Sequence, residues 1–269
     1  MTAPLAIAVL GTMFAWWFST GAILWRVRRA DLRGGGAHLR SVIYAAPLLG
    51  FGTWGFWVTL NDAGLAGAAI APLSAILLWG WIEIALLSGV ISGPNTRPLP
   101  AAAAEWERFI RAWGTIAYHE MLLAATFAAM AVAASGAPNR FGLLTFGVLL
   151  VARVSAKLNL FFGVPRIHSE FLPRTLLHLP SHFRIRRLNW LFPLSITALS
   201  LATGHWIDRI IGAGTPAETV GFAILATLTG LALLEHWLMV LPLPDERLWR
   251  WMLPAPEPRE TNGLTRRKI

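Results

Sequence analysis

Apolar residues in this chain gather into runs about as long as a bilayer-spanning helix, each bounded by charge, proline or glycine. A hydrocarbon core of about 30 Å takes roughly 20 apolar residues as helix. The pattern predicts seven spans: Pro4 to Trp25, Leu39 to Leu60, Gly67 to Ile91, Phe109 to Ala134, Phe141 to Gly163, Trp190 to Ile211 and Thr219 to Leu241. The longest link between them is residues 164–189. It is too short to be a separate soluble domain, so any chemistry belongs to the membrane or its surface. The expected fold is all-α, a polytopic transmembrane bundle forming one seven-helix domain over residues 1–253. A basic, disordered tail over 254–269 follows, opened by Pro254, Pro256 and Pro258.

Charge orients this bundle. The first run has no basic residue before it and an arginine cluster after it, the reverse of a cleavable signal peptide. With alternating sides, segments 26–40, 92–111, 164–189 and the tail from 242 fall on one face and hold 19 of the 23 Lys and Arg. Basic loops stay cytoplasmic, so the N-terminus is expected in the periplasm and the C-terminus in the cytoplasm of a bacterial inner membrane, cytoplasmic or intracytoplasmic. Trp25, Trp54, Trp57, Trp106, Trp113, Trp190 and Trp206 fall near span ends, where amphipathic rings anchor at the headgroups. Two small-residue stripes, Gly89 to Gly93 and Gly11-Ala15-Ser19, have the spacing for close helix packing.

Composition agrees with a multi-pass chain: 55% of its 269 residues are hydrophobic and 14% charged. The formal charge of +9 is topological, with the lipid bilayer and its anionic headgroups as its partner. Nucleic acid is not an expected partner, for no soluble basic face or nucleic-acid module is present. The absence of cysteine excludes disulfides, thiolate metal sites and cysteine nucleophiles.

Ionisable residues inside the spans are expensive, and each is a functional candidate by default. Glu83 falls on the third span, His119 and Glu120 on the fourth, Arg153, Lys157 and Asn159 on the fifth, Glu235 and His236 on the seventh. Counted from their helix ends at 1.5 Å per residue, the charged ones lie roughly 9 to 17 Å deep, in one layer. Arg153 and Lys157, four apart, share a helix face and match two of the three glutamates. Such a layer fits a structural ion network. Glu83, His119, Glu120, Glu235 and His236 are equally the ligand types of a transition-metal site, and His119 or His236 suits the magnesium of a chlorophyll-type ring. Transport by the same layer is a further reading, although no span shows a central Gly-Pro break. The 164–189 link adds His168, Glu170, His178 and His182 as candidates. His178 and His182 are spaced for a metal on a helix, but Pro180 lies between them.

Longer motifs carry a resemblance. Trp-Trp-Phe-Ser-Thr-Gly (16–21), Trp79-Gly80-Trp81-Ile82-Glu83, Ser92-Gly93-Pro94, Tyr118-His119-Glu120, Ser-Ala-Lys-Leu-Asn-Leu-Phe-Phe-Gly-Val-Pro (155–165), Glu170-Phe171-Leu172-Pro173 and Leu191-Phe192-Pro193-Leu194-Ser195 occur in order between residues 14 and 200. Together they resemble the PuhE-type photosynthetic complex assembly proteins. The resemblance implies a protein encoded with the photosynthesis genes of anoxygenic phototrophs, an assembly or pigment-supply factor for the reaction centre and its light-harvesting antenna. Its polar signature falls on Glu83, His119, Glu120, Lys157 and Asn159. Many relatives carry His before the third-span Glu; Ile82 stands there in this chain, which weakens the metal reading. The implied partners are reaction-centre or light-harvesting subunits, with bacteriochlorophyll or its precursor as the ligand. The expected function is therefore an assembly factor that binds rather than catalyses. Its rival is an intramembrane Glu/His metal-dependent oxidoreductase acting on a tetrapyrrole or isoprenoid.

Overall fold

The computed structural model describes residues 3–242. The tail expected over 254–269 lies outside the described residues. Helices follow one another as α1 (Ala3–Arg33), α2 (Ala37–Tyr44), α3 (Ala46–Thr59), α4 (Leu65–Leu87), α5 (Glu105–Ala133), α6 (Phe141–Phe162), α7 (Leu191–Ile211) and α8 (Pro216–Leu238). Between α6 and α7 the chain makes three single 3-10 turns, Ser169–Phe171, Arg174–Leu176 and Leu179–His182, and one isolated bridge pairs Val164 with Ile185.

α2 and α3 together make one rod, broken at Ala45. Pro47, in the first turn of α3, has no amide to donate to the Ile43 carbonyl, so a continuous helix loses a bond there. Six rods are long and apolar enough to cross a membrane, α2 and α3 counting as one, and the protein is a multi-pass membrane protein. The remaining expected span is present as α7, packed along α8. α7 forms over 21 residues, but His205, Asp208 and Arg209 near its C-terminal end dilute its apolarity below that of its neighbours.

α4 and α8 are the inner helices: 61% and 56% of their apolar stretches are buried in the protein, against 17–33% for the other spans. Both are apolar around their whole circumference, the pattern of a helix enclosed on all sides. Small residues bring α3 onto α4. A Cβ on Gly52 would stand 2.9 Å from the Leu78 amide nitrogen and the Ser74 carbonyl, so glycine allows that backbone approach. One core joins α3, α4, α5 and α6 through Phe56, Leu78, Ile82, Leu123 and Phe146. A second joins α1 to α8 through Ala8, Val220, Ala223 and Leu228. The outer faces carry large apolar side chains such as Phe51, Trp57 and Val132, all well exposed, as a bilayer requires and water does not.

The small-residue stripes do not make the helix contacts their spacing suggested. α4 ends at Leu87, which leaves Gly89 and Gly93 in the following turn, and Gly11 has open space beside it. Gly93 serves a different purpose: a Cβ there would lie 2.2 Å from the Gly114 carbonyl, so the Ser92-Gly93-Pro94 turn docks backbone to backbone on α5. The His119 and Asn95 amides donate to Ser92 O and Gly114 O at 3.1 and 3.0 Å across that junction. Of the expected tryptophan anchors, Trp25, Trp54, Trp57, Trp106, Trp113 and Trp190 are exposed. Trp206 instead turns inward and stacks on Phe222, ring centres 6.1 Å apart.

The links 34–36, 88–104 and 163–190 meet at one end of the bundle, hereafter the basic end. Thr175 Oγ1 donates to Leu87 O at 2.8 Å, and the Arg174 amide to the Asp31 carboxylate at 3.2 Å. At the opposite end Asn139 Nδ2 donates to Asp62 O at 2.9 Å.

Candidate functional site

α6 is the polar spine of the bundle. Residues four apart on a helix share a face, so Arg153 with Lys157 and Ser155 with Asn159 make two polar stripes. Arg153 Nη2 donates to Glu83 Oε2 of α4 at 2.8 Å, and Lys157 Nζ to Glu120 Oε1 of α5. On the second stripe, Ser155 Oγ and His236 Nε2 of α8 are 2.8 Å apart, while Asn159 Nδ2 donates to Ser195 Oγ of α7 at 2.9 Å. One helix therefore ties four others together.

His119, fully buried, stands behind the two ion pairs. Its Nε2 lies 3.9 Å from Glu83 Oε1 and 3.9 Å from Glu120 Oε1, beyond hydrogen-bond reach of either. Neither ring nitrogen has a hydrogen-bond partner among the described residues. His236 is the opposite case. Its Nδ1 donates to Ala232 O at 2.8 Å, which leaves the Nε2 lone pair to accept from Ser155. Both nitrogens are spent, and His236 holds helices together rather than offering a ligand. Glu235 points elsewhere: its Oε1 accepts from Trp16 Nε1 of α1 at 3.0 Å.

The five metal candidates are therefore dispersed. Glu83, His119 and Glu120 share one neighbourhood, while Glu235 and His236 face different partners. Among the described residues no three His, Asp or Glu side chains come together as a metal site needs. Asn159, expected in the polar layer, works through its amide and its backbone. Asn189 Nδ2 donates to Asn159 Oδ1 at 3.1 Å and to Gly163 O at 2.8 Å. The Asn189 Oδ1 accepts from the Leu191 and Phe192 amides at 2.9 and 3.0 Å. It thus satisfies two of the amide donors that open α7.

In the 163–190 link, Pro180 falls within a 3-10 turn rather than an α-helix. His182 Nδ1 donates to His178 O at 3.3 Å, so that ring nitrogen is taken up within the turn. Burial holds both imidazoles below their ordinary range and therefore neutral. Glu170 sits in the Ser169–Phe171 turn, its side chain outside the described residues. Arg108, one of the basic residues of segment 92–111, locks this link to the bundle. Its side chain is buried, donates to Phe161 O at 2.5 Å and His182 O at 2.8 Å, and lies 3.9 Å from the Phe161 ring centre.

Two cavities flank the layer. The first, about 360 Å³, opens under the link and is walled by apolar side chains of α5 and α6, with His168, His182, Glu120 and Lys157 also on its wall. The second, about 350 Å³, lies between α1, α4, α6 and α8 and includes Trp16, Ser19, Thr20 and Glu83. Arg153 and Glu235 belong to both walls. The His182 Nε2 is buried without a partner among the described residues.

No solved structure matches the chain. A Rhodobacter capsulatus protein described as an uncharacterized 30.4 kDa protein in the puhA 5' region is 54% identical over 256 residues, 95% of this chain and 93% of that relative. Residues 1–260 match the family model described as protein of unknown function DUF3623. With that span and that identity, the chain belongs to the DUF3623 family.

Proposed function

We propose that this protein is a membrane-embedded assembly factor for the bacterial photosynthetic reaction centre and light-harvesting complexes. The observation that carries the reading is its 54% identity to a protein placed by its description beside puhA, a reaction-centre gene. A bundle of membrane-length helices with short links offers lateral helix faces and internal cavities, and these suit it to hold nascent subunits or a pigment. Binding is favoured over catalysis because Glu83 and Glu120 are each tied to a cation. The rival oxidoreductase drew on five residues that the fold disperses. The protein sits in the inner membrane with its basic end in the cytoplasm, by the positive-inside rule.

Affinity capture from cells switched to phototrophic growth, after brief crosslinking, tests this reading. Reaction-centre or antenna subunits should be enriched over an unrelated multi-pass protein of similar abundance. Equal recovery from both would count against it.

A further inference from the structure

The layer contains three carboxylates and two cations. Arg153 takes Glu83 and Lys157 takes Glu120, which leaves Glu235 with a neutral indole N–H and, among the described residues, no cation within salt-bridge distance. Glu235 is exposed, and the surface it offers is the shared wall of both cavities. Arg153 stands on the same shared wall. Its Nη2 serves Glu83, while its Nε is buried with no partner among the described residues. A guanidinium has five N–H donors in a fixed fork, so Arg153 retains donor capacity. The junction between the cavities thus presents an unmet donor and an unneutralised acceptor together.

That combination selects among ligands. A simple anion would satisfy Arg153 but add negative charge to a cluster already holding one carboxylate too many. A simple cation would satisfy Glu235 and leave the arginine donor unmet. A head group carrying both signs answers each group without changing the net charge. The second cavity also holds Trp16 and Trp79, ring types that attract ammonium groups. The first cavity is walled mainly by apolar side chains and joins it at Arg153, Ala156 and Glu235, so it suits an acyl chain.

We propose that the paired cavities form a binding site for a zwitterionic phospholipid, its phosphate on Arg153, its ammonium on Glu235 and one acyl chain in the apolar cavity. The site is independent of the assembly reading, and lipid occupancy is measured without any photosynthetic partner.

The test is native mass spectrometry of the full chain purified in mild detergent, titrated with dioleoylphosphatidylethanolamine and, separately, dioleoylphosphatidylglycerol. Wild type should retain about one phosphatidylethanolamine per chain and prefer it by about tenfold or more, the worth of one charge-assisted hydrogen bond. Glu235→Gln keeps an oxygen for Trp16 and removes the charge. It should abolish the preference while the protein still accumulates. Should that variant fail to fold, Ala156→Phe narrows the passage between the cavities and should lower retention of the same lipid. Equal retention of the two lipids by wild type, or an undiminished preference in Glu235→Gln, overturns the proposal.

Discussion

Arg153 of α6 reaches Glu83 of α4 with an Nη2 to Oε2 separation of 2.8 Å, and this bond fixes the register of the spine helix against the innermost helix of the bundle. Glu83 is buried whereas the Arg153 side chain is 38% exposed, so the carboxylate depends on the arginine more than the reverse. Losing one member of a buried pair costs more than losing both. Arg153→Met should lower stability by about 1 to 3 kcal/mol, below the fully buried case because Arg153 is partly exposed. Glu83→Gln with Arg153→Met should recover most of that. Thermal denaturation in detergent measures both, and a double variant no better than the single one would refute the pairing argument.

Asn189 makes a prediction of its own. It spans the end of α6 and the start of α7, with its amide donating to one and its oxygen accepting from the other. Asn189→Ala leaves buried partners unmet at both helices and should cost about 1 to 3 kcal/mol. Asn189→Asp keeps the oxygen acceptor for the α7 amides but turns a carboxylate oxygen toward Asn159 Oδ1 and Gly163 O, and should cost at least as much. A smaller loss for the aspartate would place the main contribution on the α7 amides.

Arg108 binds two carbonyls with one planar group. Lysine keeps the charge but cannot reproduce the fork. Arg108→Lys should therefore loosen the 163–190 link, seen as faster proteolytic cleavage there with little change in the helices. Unchanged cleavage would mean that the link's other ties, Arg184 to Glu105 and Thr175 to Leu87 among them, hold it without Arg108.

Much of the scaffold was legible in the sequence because membrane burial imposes length and apolarity on every span. The helical spans and the ionisable layer followed from that constraint alone. The break at Ala45 was signalled by Pro47 and passed over because the run stays apolar through it. Pairing was less accessible. That Arg153 takes Glu83, Lys157 takes Glu120 and Glu235 turns to an indole depends on helix rotation, which composition does not encode. Asn189 and Arg108 were missed for a related reason. Each lies at a helix boundary, where the apolar pattern stops and only the tertiary packing shows what the side chain reaches.

His178 and His182 give a pH dependence. Burial keeps the folded rings neutral, while unfolded imidazoles take up protons below their ordinary value of 6.5. The unfolded state then binds more protons, so stability is lost as pH falls through that value. Melting of wild type should drop between about pH 7.5 and 5. His182→Gln should flatten part of that drop, and an identical slope in the variant would remove His182 from the account.

The most direct measurement of the central claim is the content of assembled reaction centre and antenna, read from the absorption of membranes, in a phototrophic host lacking this chain. Both should fall per unit membrane protein and return when the wild-type chain is supplied. Normal content and a normal rate of accumulation in the deletion strain would contradict an assembly role.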